Sequence, residues 1–65
     1  MNVGDRVVVD AAATGDGEHH HGRIIDIYDF ARASFIEVMF DHLTLDGRSG
    51  ITLSNPGLLR MEVTA

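Results

Sequence analysis

Apolar and polar residues alternate most clearly in the middle of the chain, over Phe35–Asp41. There Ile36, Val38 and Phe40 fall on one side of an extended backbone. This period of two is typical of a half-buried β-strand. We therefore expect a central strand that buries these three residues. The opposite face then holds Phe35, Glu37, Met39 and Asp41.

Four other segments predict short strands. Val3–Asp10 carries three consecutive valines, whose branched side chains favour β-structure. Arg23–Phe30 is a second apolar run, and Gly50–Ser54 a third. Arg60–Val63 follows an Asn-Pro-Gly turn and completes the set.

Turn and loop residues separate these strands. Ala12–Gly22 contains three glycines and few large apolar groups, so it predicts a loop. Ala31–Ser34 predicts a short turn, and Asp46-Gly47 is a strong turn signal. Leu58 and Leu59 are expected to form one 3₁₀ turn beneath the sheet.

Five short strands with a long first loop predict an all-β fold, a small five-stranded SH3-like barrel. Sixty-five residues make a single domain, spanning 1–65. An OB-like barrel is the alternative, but it usually needs a longer chain. The predicted core consists of Ile24 or Ile25, Ile36, Val38, Phe40, Leu53, and Leu58 or Leu59.

Composition narrows the classes of function. The chain has no cysteine, so it can form neither a disulfide nor a thiolate metal site. No apolar run approaches the roughly 20 residues that span a bilayer, so we expect no membrane insertion and a cytoplasmic location. Ten acidic residues face five basic ones, all arginine, which gives a net charge of −5. Because nucleic-acid binders normally carry a basic surface, we expect no nucleic-acid partner.

The histidine run His19–His21, next to Glu18, is the one candidate metal site. Imidazole suits zinc, nickel or copper. However, neighbouring side chains of an extended chain point to opposite sides, so one run rarely supplies three ligands to one ion. The sequence therefore favours a solvated loop without metal or other cofactor, and weak metal affinity is the alternative.

Acidic side chains give little indication of catalysis. General acid–base catalysis needs two carboxyl groups facing one cleft, and a barrel this small offers little cleft. We therefore expect no catalytic residues. Asp46 is expected to belong to its turn, and Asp41 to bond backbone near the Gly47–Gly50 turn. The acidic residues considered are Asp26, Asp29, Glu37, Asp41 and Asp46.

Three apolar side chains are candidates for contact with a partner. Tyr28, Phe35 and Met39 fall on outward faces of their predicted strands. Aromatic and methionine side chains are common anchors of protein interfaces. The alternative is that loops fold back and cover them.

The segment Val38–Val63 carries a V-M-F-D strand, a G-R-S-G turn and an Asn before the last strand. Together with Gly4-Asp5-Arg6-Val7 and Gly22–Ile27, it resembles the photosystem I subunit IV (PsaE) family. Met1–Val9 and the His-rich loop are more weakly similar to the variable chain of ferredoxin–thioredoxin reductase. Both resemblances imply an SH3-like barrel that docks, without catalysis, beside iron–sulfur proteins. They also imply a protein partner in a larger redox complex, peripheral to a photosynthetic membrane.

This chain departs from the PsaE pattern where that family places basic residues against acidic ferredoxin. Met39 and His42 occupy those positions here. Arg48 of the G-R-S-G turn, with Arg6 and Arg23, would have to supply a local basic patch. Since the net charge repels an acidic partner, we expect weak ferredoxin binding or none.

Two other functions stay open. The first is an unrelated protein-binding barrel from a phage or mobile element. The second is an oligomeric SH3-like enzyme such as the plasmid-type trimethoprim-resistant dihydrofolate reductase. The Val-Gln-Ile-Tyr signature of that enzyme is missing from this chain.

Overall fold

The computed structural model describes residues 1–63, so residues 64 and 65 of the predicted domain lie outside it. A four-residue helix, α1 (Ala11–Thr14), follows the first strand, and a 3₁₀ turn, Pro56–Leu58, precedes the last. The five strands are β1 (Arg6–Val9), β2 (His20–Phe30), β3 (Ala33–Phe40), β4 (Gly50–Leu53) and β5 (Leu59–Met61).

All five strands belong to one antiparallel sheet in the order β4-β3-β2-β1-β5. This confirms the predicted all-β, five-stranded architecture. Within residues 1–63, β4 and β5 are the two edges and do not pair with each other. The sheet therefore curls around its core without closing by backbone pairing. No helix in this part of the chain is long and apolar enough to cross a membrane.

The first loop is shorter than predicted. An Asp10 carboxylate oxygen accepts the Ala12 N–H at 2.8 Å and starts α1, while Gly15, at φ +75°, ends it. The strand β2 then begins at His20 rather than Arg23, because His20 and His21 pair with the end of β1. Pairing with the valine-rich β1 thus extends β2 into residues that the sequence predicted to be loop.

The core lies on one face of the sheet. Ile24 is fully buried, and Ile25, the next residue, is 45% exposed. The register between β2 and β3 then shifts between Ile24 and Asp26, so the residues of β2 after this β-bulge face the opposite side from the one that uninterrupted alternation would give. Ile36 and Leu58 are half-buried and pack against the core. The core consists of Val7, Val9, Ile24, Val38, Phe40, Leu53 and Leu59.

The hairpin that joins β2 to β3 turns through two residues, Ala31 and Arg32. Both have positive φ, +51° and +66°, as the tight turns of two-residue hairpins require. The predicted turn at Ala31–Ser34 is therefore shorter, and β3 begins at Ala33 instead of Phe35.

Candidate functional site

The distal part of the β2–β3 hairpin extends beyond the rest of the sheet. The strand β1 pairs with β2 only along His20–Arg23, and β4 pairs with β3 only along Ile36–Met39. Within residues 1–63, Asp26–Phe30 and Ala33–Phe35 consequently pair only with each other. A two-stranded ribbon has little stability of its own.

Five apolar side chains share the outward side of this hairpin, and we call this surface the hairpin face. Phe35 and Met39 point away from the buried Val38 and Phe40 because alternate residues of a strand face opposite sides. Of the five, Phe35 is half-buried and the others are exposed, Phe30 by 69%. The hairpin face consists of Ile25, Tyr28 and Phe30 on β2 with Phe35 and Met39 on β3.

The centre of the hairpin face is a pair of stacked rings. Tyr28 lies directly opposite Phe35, and the ring centroids are 5.5 Å apart at an interplanar angle of 25°. Such pairs contribute about 0.5–1.5 kcal/mol beyond the area that they bury. Desolvation, followed by the negative charges of Glu37 and Asp26, raises the pKa of Tyr28. The aromatic pair therefore sits in an acidic setting.

A shallow groove of about 340 Å³ lies between Ile25, Met39 and β4. Gly50 stands opposite Met39, and a Cβ on this glycine would lie 2.4 Å from the Val38 carbonyl oxygen. Only glycine permits so close an approach of the two strands. Its missing side chain leaves the groove open beside Met39.

The structure brings three of the four predicted partner-binding residues together. Tyr28, Phe35 and Met39 all lie on the hairpin face. Arg48 lies apart from it, in the loop before β4, where its Nε is 3.2 Å from an Asp46 carboxylate oxygen. Its backbone N–H donates to the Thr44 hydroxyl at 2.9 Å.

Sequence reasoning missed two members of the hairpin face. Ile25 was an alternative core residue, but it follows the buried Ile24 and therefore faces outward. Phe30 continues the period of two from Tyr28, and that signal was available in the sequence.

Two of the three arginines that a basic patch would need, Arg6 and Arg48, are paired with carboxylates. Arg6 and Arg23 are cross-strand partners, as a patch would require. However, Arg6 Nη1 donates to Asp41 at 2.6 Å and its Nη2 donates to Glu62 at 3.1 Å. The expected bond from Asp41 to backbone near the Gly47–Gly50 turn is therefore wrong, because Arg6 engages this carboxylate instead.

The histidine run divides between two faces of the sheet. The His20 ring packs 4.9 Å from the Phe40 ring and donates to Asp16 at 2.7 Å. His21 donates from Nδ1 to Glu62 at 2.8 Å. Across residues 1–63, no three His, Asp or Glu side chains are grouped so that they could hold a metal ion.

Comparisons of the chain with protein-family models, with curated proteins and with solved structures find no match. The resemblance to the PsaE family, which spans nearly the whole chain, therefore stays a prediction. The candidate site rests on the geometry of the hairpin face alone.

Proposed function

We propose that this chain is a non-catalytic docking subunit that binds a protein partner through the hairpin face. The observation that carries the proposal is the group of exposed apolar side chains around the stacked Tyr28–Phe35 pair. Folded domains rarely expose large contiguous apolar patches, and those that do commonly use them as interfaces. Aromatic and methionine side chains are enriched at such interfaces.

The contacts that acidic side chains make with other groups of this chain support a docking role rather than catalysis. Asp41 is paired with Arg6, and Asp46 with Arg48 and the Thr44 hydroxyl. Asp26 and Glu37 face each other across the hairpin on an open surface. General acid–base chemistry works best with carboxyl groups that converge on an enclosed substrate.

The resemblance to the PsaE family supports a more specific role beside a larger redox complex of photosynthetic electron transfer. Met39 belongs to the V-M-F-D segment of that resemblance and lies on the hairpin face. The net charge of −5 disfavours acidic ferredoxin as the partner. We expect contact with the complex to run through apolar side chains instead. An unrelated protein-binding barrel would use the same surface.

Pull-down from native lysate with matched variants tests the proposal. The double variant Tyr28→Ser, Met39→Ser removes two anchors of the hairpin face. Leu45→Ser is the control, since Leu45 is 94% exposed and lies outside that face. We expect the double variant to lose a partner that the wild type and the control retain. A partner lost only from Leu45→Ser would contradict the proposal.

A further inference from the structure

The distal part of β2 has a free backbone edge. On the side of β2 away from β3, β1 pairs with His20–Arg23. The pairing continues to Ile24, whose carbonyl oxygen accepts the Gly4 N–H at 2.8 Å and whose N–H donates to the Asp5 carbonyl oxygen at 3.0 Å. Beyond the bulge, Asp26–Phe30 makes no backbone hydrogen bond on that side to any residue in 1–63. Such an edge is a template for an added strand.

Both sides of this edge combine apolar groups with carboxylates. Asp26 shares the outward side with Tyr28, whereas Asp29 shares the opposite side with Ile27, since alternate residues face opposite ways. Among residues 1–63, neither aspartate lies within ion-pair distance of a cation of this chain. Asp29 accepts one hydrogen bond, from the Ser34 hydroxyl at 2.6 Å.

A strand seated on this edge would cover Asp26 and Asp29 with its own alternate side chains. Covering a carboxylate without placing a cation beside it is unfavourable, because no ion pair offsets the free energy lost when the carboxylate is removed from water. The occupant must therefore bring lysine or arginine to these positions, with apolar groups between them. The net charge of −5 also attracts a basic segment at long range.

We propose that the partner contributes an extended cationic segment, with alternating basic and apolar residues, that adds as a strand to the Asp26–Phe30 edge of β2. This inference rests on the docking function proposed above and specifies its partner. Backbone hydrogen bonds would supply affinity, and the carboxylates of Asp26 and Asp29 would favour a positively charged segment of the partner. An acidic partner would be rejected at the same edge.

Nuclear magnetic resonance of the ¹⁵N-labelled chain provides the test. The probe is a capped peptide of three Arg-Val repeats, and the controls are its Glu-Val counterpart and an Arg-Val peptide with methylated backbone nitrogens. We expect the first peptide alone to shift the amide signals of Asp26–Phe30 and to slow their hydrogen exchange. Equal binding of the Glu-Val or methylated peptide would overturn the inference, as would effects confined to the β4 edge.

Charge variants of the chain give a second readout. The double variant Asp26→Asn, Asp29→Asn is expected to weaken binding of the Arg-Val peptide about fivefold. Asp46→Asn, away from the hairpin, should leave binding unchanged. Unlabelled chain that reproduces the peptide-induced shifts would make a second copy the occupant and overturn the inference.

The pull-down separates this inference from the docking function. A captured partner that is lost with Tyr28→Ser, Met39→Ser but kept with the double asparagine variant leaves docking intact and overturns the cationic strand. A partner indifferent to both double variants overturns the docking function itself.

Discussion

Arg6 on β1 reaches past β2 to form a two-pronged ion pair with Asp41 at the end of β3. Nη1 donates to one carboxylate oxygen at 2.6 Å and Nη2 donates to the other. Nη2 also donates to Glu62, directly after β5. One guanidinium thus links the ends of two strands that are not neighbours in the sheet.

Replacing Asp41 with asparagine should destabilise the fold in a pH-dependent way. Hydrogen bonds from Arg6 lower the pKa of the Asp41 carboxyl. The stabilisation is therefore present at neutral pH and lost as pH falls below the usual range of an aspartate. Urea unfolding should show Asp41→Asn less stable than wild type at pH 7, with the difference shrinking by pH 3. Asp26→Asn, which removes an exposed carboxylate that has no ion-pair partner among residues 1–63, is the control. Equal loss of stability in both variants would contradict a role for the Arg6–Asp41 pair.

The loop before β2 should make its own contribution to acid sensitivity. The Thr14 hydroxyl, the Glu18 N–H and His20 all donate to Asp16, and they lower its pKa from 3.8 to about 2. This contribution to stability is complete above about pH 4 and is lost as pH falls towards 2. Asp16→Asn should melt at a lower temperature than wild type at pH 6. Between pH 4 and 2 its melting temperature should fall by less than that of wild type. An equal fall in melting temperature for wild type and Asp16→Asn between pH 4 and 2 would contradict the described contacts.

Phe40 is the aromatic residue of the core, and its truncation should unfold the domain. It is 7% exposed, and the His20 ring packs against it. Phe40→Ala is expected to cost about 3–5 kcal/mol, as large-to-small changes of buried aromatic residues do. Phe30→Ala, at a 69% exposed position, should leave the circular dichroism melt nearly unchanged. A cooperative melt of Phe40→Ala close to that of wild type would show that the faces of β3 are reversed.

The faces of β3 could be predicted because their signal is local. Val38 and Phe40 are buried and Met39 is exposed, as strict alternation requires. The same alternation places Phe35 and Met39 on one side of β3, but Tyr28 reaches that side only through the bulge in β2.

Features set by distant or unusual backbone contacts could not be predicted. The bulge that reverses the facing of the β2 residues after Ile25 leaves no mark in a run of two isoleucines. Arg6 and Asp41 are 35 residues apart, and only the sheet order brings them together. The turn at Ala31-Arg32 lacks the glycine or asparagine that normally signals positive φ.

Glycine in place of Arg32 should stabilise the turn between β2 and β3. Arg32 has φ +66°, a region that costs a non-glycine residue about 1–2 kcal/mol. Arg32→Gly should therefore raise stability by about 1 kcal/mol, which raises the melting temperature by about 4–8 °C for a domain of this size. Ala33→Gly, one residue later in the strand, should lower it instead. A lower melting temperature for Arg32→Gly would contradict the two-residue turn.

Site-specific photo-crosslinking tests directly whether a protein partner binds the hairpin face. A benzophenone amino acid would replace Tyr28 in one preparation and Leu45, which is 94% exposed outside the hairpin face, in another. Both preparations would be irradiated in native lysate and resolved by mass. We expect one discrete protein adduct from position 28 and none from position 45. Adducts from position 45 with none from position 28 would contradict this expectation.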